Sequence, residues 1–253
     1  RSTLFPYTTL FRSTNLRLSR ASIEEVSEDA RGLVLELTVV DVHSVAVNCR
    51  DERGRRWSLI EKEEEFQPRS VLTPISGIVP GSVLFLDLRD VRVGFDARLP
   101  RGFSLNTRWR NLVREWSDVS CEPDLGVLEE RMDCEELCGL SGLGPGLTPA
   151  GDDFIAGWIT ARRCVEAASS RRDIRLFCDG WNPAGTTWFS RWMICDAIRG
   201  RLWRRGKNLL AALQQDDGSE MMRALSDIWS WGHTSGKAWL AGLGKGFERS
   251  NLV

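Results

Sequence analysis

GLGPGLTPAGDDFIAG, residues 142–157, sets a glycine-rich loop directly against the start of a helix. Gly142, Gly144 and Gly146 carry no Cβ and allow positive φ, so the backbone can turn tightly and approach a ligand, while Pro145 and Pro149 stiffen the loop. The helix that begins after Pro149 presents unpaired N–H groups and the positive end of its dipole, a combination that favours a small anion such as a phosphate or a carboxylate. The loop lacks the terminal Gly-Lys-Ser/Thr of a P-loop. It also follows a helical pattern rather than the strand that a dinucleotide fingerprint requires, which disfavours the common nucleotide folds. Asp152 and Asp153 allow two readings: both serve the helix start as capping carboxylates, or one caps while the other points into the site to hold a substrate amide or a cation. Thr148 adds a hydroxyl beside them.

Two further helix entries share this chemistry. Gly232-His233-Thr234-Ser235-Gly236 precedes the helical KAWLAGLGKGF, and Gly185-Thr186-Thr187 precedes the Trp188 helix with Ser190 one turn on. Each is explicable as an ordinary N-cap; three in one helical region are expected to converge on one site. His233 is read either as a donor or proton carrier for a substrate oxygen or as a cap or packing residue, and Lys237 as a source of positive charge.

Outward from the loop, the chain reads as α+β, a β-rich N-terminal domain over residues 14–106 followed by a mainly helical domain over residues 107–253 that carries the glycine motif. Gly32 to Val40, Ser44 to Cys49, Trp57 to Ile60 and Val83 to Leu88 are rich in β-branched and apolar residues, with Asp51 to Arg55 as a hairpin turn and Pro80-Gly81 and Leu99 to Gly102 as later turns. They predict a small, mostly antiparallel sheet. Helical spacing is expected over Trp109 to Trp116, Leu125 to Leu137, Asp153 to Ala168, Thr187 to Trp203, Glu220 to Trp231 and Ser235 to Phe247, with a short helix over Asn208 to Gln215. Gly200 and Gly206 are expected to mark ends or breaks. Residues 1–13 include LFPYTTLFRS, the in-frame translation of a sequencing-adapter oligonucleotide. They are expected to be foreign to the protein and are excluded from fold reasoning.

About 240 residues remain, enough for one large or two modest cores. The net charge of −1 becomes −3 without Arg1 and Arg12, and no basic face is concentrated in the sequence, which argues against nucleic acid as a partner. No apolar run approaches the roughly 18 residues of a membrane span. Seven cysteines in no framework spacing suit a reducing cytoplasm. Cys134 and Cys138 stand one helical turn apart, but no second pair and only two histidines accompany them, so no metal is expected. Eleven tryptophans, including Trp188 and Trp192 one turn apart, are read as core or interface packing before a ligand-stacking role.

GLGPGLTPAGDDFIAG, GTTWFS and GHTSGKAWLAGL, in this order, resemble the AllH-type family, a subunit of oxamate carbamoyltransferase. The resemblance implies a multi-subunit cytoplasmic enzyme of allantoin degradation within purine catabolism. It would interconvert oxalurate plus phosphate with oxamate plus carbamoyl phosphate, alongside other carbamoyltransferase subunits and without a cofactor. Both oxamate and carbamoyl phosphate are small anions bearing an NH2 group, which suits helix entries beside aspartates. On this basis Asp152, Asp153 and His233 are the candidate catalytic residues. Gly144, Gly146, Leu147, Thr148, Gly151, Thr186, Thr187, Thr234, Ser235 and Gly236 are the candidate substrate-binding residues. The competing expectation is a non-catalytic scaffold or ligand-binding subunit whose tryptophan-rich helices dock the partner that does the chemistry.

Overall fold

The computed structural model describes residues 15–18, 22–116, 125, 128, 137–165 and 168–249. The chain divides into two compact units, Arg1–Asp96 and Ala97–Val253, and it is α+β. Residues 1–13, Cys121, Met132 and Cys134 lie outside the described residues, as does most of the helix expected over Leu125 to Leu137.

The first unit is an eight-stranded mixed sheet. Its strands are β1 (Asn15–Arg17), β2 (Glu25–Ser27), β3 (Val34–Val42), β4 (Ala46–Arg50), β5 (Arg56–Ile60), β6 (Ser70–Leu72), β7 (Val83–Asp87) and β8 (Arg92–Phe95), in the spatial order β1-β7-β3-β4-β5-β6-β2-β8. Strands β3, β4 and β5 form an antiparallel meander, and β7 adds antiparallel to β3. Three pairings, β1 with β7, β2 with β8 and β5 with β6, are parallel, so the sheet is more mixed than hairpin signals suggest. The reason is length. The short strands β1, β2, β6 and β8 carry too few residues to show an alternation, and they pair with strands distant in sequence.

Alternation is clear where strands are long. Leu35, Leu37 and Val39 of β3 and Leu84 and Leu86 of β7 are buried, joined by Val47, Cys49, Trp57 and Leu59 in one core. The β4–β5 turn is closed by Asp51, whose carboxylate accepts from the Arg53 N–H at 3.0 Å, the Arg55 N–H at 2.8 Å and the Trp57 indole at 3.0 Å. Burial pushes the Asp51 carboxyl up, but the bonds from Trp57 and Arg55 outweigh it and hold the pKa below its ordinary value. A carboxyl so lowered stabilises the fold above its unfolded pKa and loses that contribution as pH falls. Asp51→Ala strands these donors and the Arg55 guanidinium, four in all, and is expected to cost about 2 kcal/mol in urea denaturation at pH 7, with the deficit shrinking in acid.

The second unit contains α1 (Arg110–Trp116), α2 (Ala150–Cys164), α3 (Ala168–Gly180), α4 (Trp188–Ile198), α5 (Arg204–Gln214), α6 (Gly218–Trp229) and α7 (Ser235–Glu248). Residues 97–106 belong here. The Leu202 N–H donates to the Ala97 carbonyl at 2.7 Å and the Leu99 N–H to the Gly200 carbonyl at 2.9 Å. Helix α2 is its axis, with all its residues but Arg163 buried, as expected of a helix enclosed by others. Its last turn is tied to α3 by buried Arg162, 2.6 Å from the Asp173 carboxylate.

Helix α2 packs on α7 almost backbone to backbone. A Cβ on Gly157 would fall on the Trp239 carbonyl, and one on Gly242 on the Phe154 carbonyl, closer than the 3.0 Å limit of real contacts. Expected ends hold in part. Gly200 takes φ +68° and terminates α4 five residues or so before Trp203, but Gly206 is no break: it sits inside α5, packed under Leu202. Helix α3 is absent from the sequence expectations. Its SSRRD start is polar and its periodicity comes from few apolar residues, chiefly the buried Ile174 and Phe177.

Most tryptophans pack as expected. Trp57, Trp109, Trp116, Trp158 and Trp239 are buried, and Trp203 stacks against Trp231 with ring centroids 4.1 Å apart. Trp188 and Trp192 are half-buried, and Trp229 is exposed.

Candidate functional site

The glycine loop folds as its residues dictate. Gly142, Gly144 and Gly146 take φ of +78°, +106° and +93°. A Cβ on Gly144 would lie 3.0 Å from the Ala150 nitrogen, so the loop must close over the start of α2 without one. Pro149 occupies the N-cap of α2, where a missing N–H costs nothing.

That closure changes the anion reading of this helix start. The Gly151 N–H donates to the Leu143 carbonyl at 2.9 Å, and the N–H groups of Asp152 and Asp153 donate to the Pro149 carbonyl at 2.9 and 3.2 Å. Three first-turn donors are therefore consumed within the chain, and the polar groups left to face a ligand are side chains.

The two aspartates, both fully buried, have opposite surroundings. Neither caps α2. Asp152 reaches backward: one oxygen accepts from the Gly142 N–H at 3.0 Å, the Ser141 hydroxyl approaches at 3.4 Å, and the other oxygen accepts from the Thr186 hydroxyl. Ser141 in turn accepts from the Trp181 indole at 3.1 Å. Burial raises the Asp152 pKa, and these donors together with Ser190 oppose the rise. Asp152 thus fastens the loop to the entry of α4.

Asp153 has no such set. Neither of its oxygens makes a hydrogen bond of acceptable geometry with a protein donor. Burial drives its pKa well above the ordinary carboxylate range, the Ser235 and Thr148 hydroxyls stand near enough to pull it partly back, and the charge of Asp152 pushes it further up. Those two hydroxyls are bonded to each other at 2.9 Å.

The three helix entries meet. Thr148 of the loop joins Ser235 of α7. The Leu147 carbonyl accepts from the Thr187 hydroxyl at 2.7 Å and from the Ser190 hydroxyl at 3.4 Å, and the Thr187 hydroxyl also accepts from the Ser190 N–H at 3.1 Å as the N-cap of α4. Asp152 and Thr186 make the third link.

Other singled-out residues lie elsewhere. Gly146 is exposed at the loop tip. Gly151 is buried, its Cα against the Leu140 carbonyl, and Gly236 is buried against the Ile228 carbonyl with its N–H donating to Trp231; both serve close packing. His233 is exposed in the turn before α7, and Thr234 occupies that helix's N-cap without a side-chain cap bond. The Lys237 ammonium lies 5.2 Å from the centroid of the Trp229 ring. Ser141 and Trp181 escaped the sequence reading, since nothing local marks a serine before a loop and a tryptophan 40 residues on as partners. Cys138 donates to the Phe177 carbonyl at 3.5 Å, and among the described residues no group of three His, Cys, Asp or Glu is placed to hold a metal ion. No helix among the described residues is long and apolar enough to cross a membrane.

Fold and site together define an α+β protein whose helical unit brings three hydroxyl-bearing helix entries together at two adjacent buried aspartates, one bonded to the loop and one beside the Thr148 and Ser235 hydroxyls. Residues 140–247 match the family model described as AllH, oxamate carbamoyltransferase subunit AllH, and over this segment the resemblance read from the sequence is borne out. The match spans the loop, both other helix entries and nearly all of α7. No curated protein and no solved structure matches the chain at a significant level.

Proposed function

We propose that the protein is a subunit of a carbamoyltransferase, interconverting oxalurate plus phosphate with oxamate plus carbamoyl phosphate in company with other subunits. The observation that carries this reading is the meeting of the three helix entries at Thr148, Asp152, Thr186, Thr187 and Ser235, all inside the segment that matches the family. Transfer of a carbamoyl group asks for positioning and for stabilisation of a developing oxyanion and phosphate charge, which fixed hydroxyls can provide.

Within this reading Asp153, Thr148 and Ser235 face the reacting ligand, and His233, in the turn before α7, is assigned proton exchange with it. Asp152 is a positioning residue, since its oxygens are occupied by the loop and by Thr186. The place of the reaction in allantoin breakdown, and in the cytoplasm, belongs to the same proposal.

Reconstitution with the partner subunits and assay of phosphate-dependent oxalurate breakdown tests it. Asp153→Ala and Ser235→Ala are expected to lower turnover at least about tenfold, the cost of one lost charge-bearing or hydroxyl contact in a transition state. Full turnover in both variants would overturn the assignment and leave the chain as a scaffold for a partner's active site.

A further inference from the structure

Asp153 is a fully buried carboxyl that its own fold satisfies poorly. A buried polar group without a hydrogen bond is costly, and native structures keep few of them. Asp152, one residue earlier and equally buried, shows that this loop can satisfy a carboxylate when it is asked to do so. The oxygens of Asp153 make no hydrogen bond of good geometry; the Thr148 and Ser235 hydroxyls stand beside them, but one of their two hydrogens is spent on the bond between them, which leaves at most one for a carboxyl that can accept several.

A divalent cation is poorly served by this donor set. It would want about six oxygen ligands, whereas Asp152 is committed to the loop and no third carboxylate or histidine among the described residues joins the pair. A neutral NH2 fits better: one of its N–H groups can donate to an Asp153 oxygen without the full ligand shell that a cation needs.

We infer that Asp153 is the specificity-determining residue for a ligand bearing a carboxamide NH2, holding that NH2 while the Thr148 and Ser235 hydroxyls hold the adjoining carbonyl oxygen. Entry of the ligand opens the Thr148–Ser235 bond and turns both hydroxyls toward the carbonyl. The inference rests on the carbamoyltransferase reading for its choice of ligand; the carboxylate and hydroxyl pair stand independently of that reading.

Calorimetric titration of the full chain with oxamate and with oxalate tests it, because the two differ in replacing an NH2 that donates by an oxygen that only accepts. The intact protein is expected to bind oxamate at least about tenfold more tightly than oxalate, the loss expected when a site's polar group is left unmatched. Asp153→Asn is expected to bring the two within about twofold, and Ser235→Ala to weaken both about equally, since both ligands keep the carbonyl. Equal or tighter binding of oxalate to the intact protein, no binding of either, or a preference that survives in Asp153→Asn overturns the inference. The first two need no variant to fold. Turnover in the reconstituted enzyme separates the two readings. Turnover without the oxamate preference refutes only the role of Asp153, and the preference without turnover refutes only the transferase.

Discussion

Replacing Gly157 by valine is expected to destabilise the protein by at least about 3 kcal/mol, read as a shift in the urea midpoint at an unchanged slope. A side chain there would occupy the position of the Trp239 carbonyl and press on the Leu243 nitrogen at 2.9 Å. Neither atom is the end of a flexible side chain. Both belong to the backbone of α7, so relief requires the two helices to move apart, and parting them opens the core of the helical unit. Gly242→Val meets the Phe154 carbonyl in the same way from the opposite helix and should cost as much. Because the two sites share one interface, the double variant should cost less than the sum. Gly139→Ala is the control: an added Cβ there has nothing within 4 Å, and the change should stay within about 0.5 kcal/mol. Equal stability of Gly157→Val and Gly139→Ala would mean that α2 and α7 do not pack at this distance.

The consequence for the site follows directly. Thr148 and Asp153 sit at the start of α2 and Ser235 at the start of α7, so the spacing that the glycines set along the helices also sets the reach between these groups. Substitutions well down the helices are thus expected to disturb ligand binding as well as stability.

Asp153→Asn is expected to have an opposite and pH-dependent effect. A carboxyl whose native pKa lies above its unfolded value holds its proton more tightly when folded. The fold bears no penalty from it below the unfolded pKa of about 3.9, and loses stability as pH climbs from there toward the native value. Burial is the main cause of the raised value, followed by the opposing Ser235 hydroxyl and the adjacent charge of Asp152. Asparagine has the same shape and no ionisation. The variant should therefore match the parent near pH 4 and become relatively more stable toward pH 7, by no more than about 1.4 kcal/mol per pH unit for one proton. Asp152→Asn should behave differently. It turns an NH2 toward the Gly142 N–H or the Thr186 hydroxyl and is expected to destabilise across the neutral range. Thermal or urea denaturation of both variants between pH 4 and pH 8 checks the contrast. A parent-like pH profile in Asp153→Asn would show that the carboxyl is already charged and satisfied in the native protein.

The contrast between these neighbours also marks where sequence reading stops. Two adjacent aspartates after Pro-Ala-Gly look interchangeable, and the simplest reading makes both of them caps. In the structure neither caps: the glycine loop itself takes up the first N–H groups of α2, through the Leu143 and Pro149 carbonyls. The 100° rotation between consecutive helical residues then sends one carboxylate back to Gly142 and Thr186 and leaves the other beside Thr148 and Ser235.

Local chemistry carried much of the rest. Long strands with visible alternation, the Asp51 hairpin, the positive-φ glycines and the Thr187 cap are each decided by a few neighbouring residues, and sequence alone determined them. Short strands β1, β2, β6 and β8 and the polar helix α3 exceed that reach, because their conformation is fixed by partners distant along the chain. The meeting of three helix entries was an expectation that only the tertiary structure could turn into named contacts. It depends on how closely α2 and α7 approach, and that distance is set by the absence of side chains at Gly157 and Gly242, residues which in the sequence look like weak points in a helix. The sequence determined which groups the site would hold; only packing decided that one carboxyl among them would be fully buried with two hydroxyls beside it that are bonded to each other.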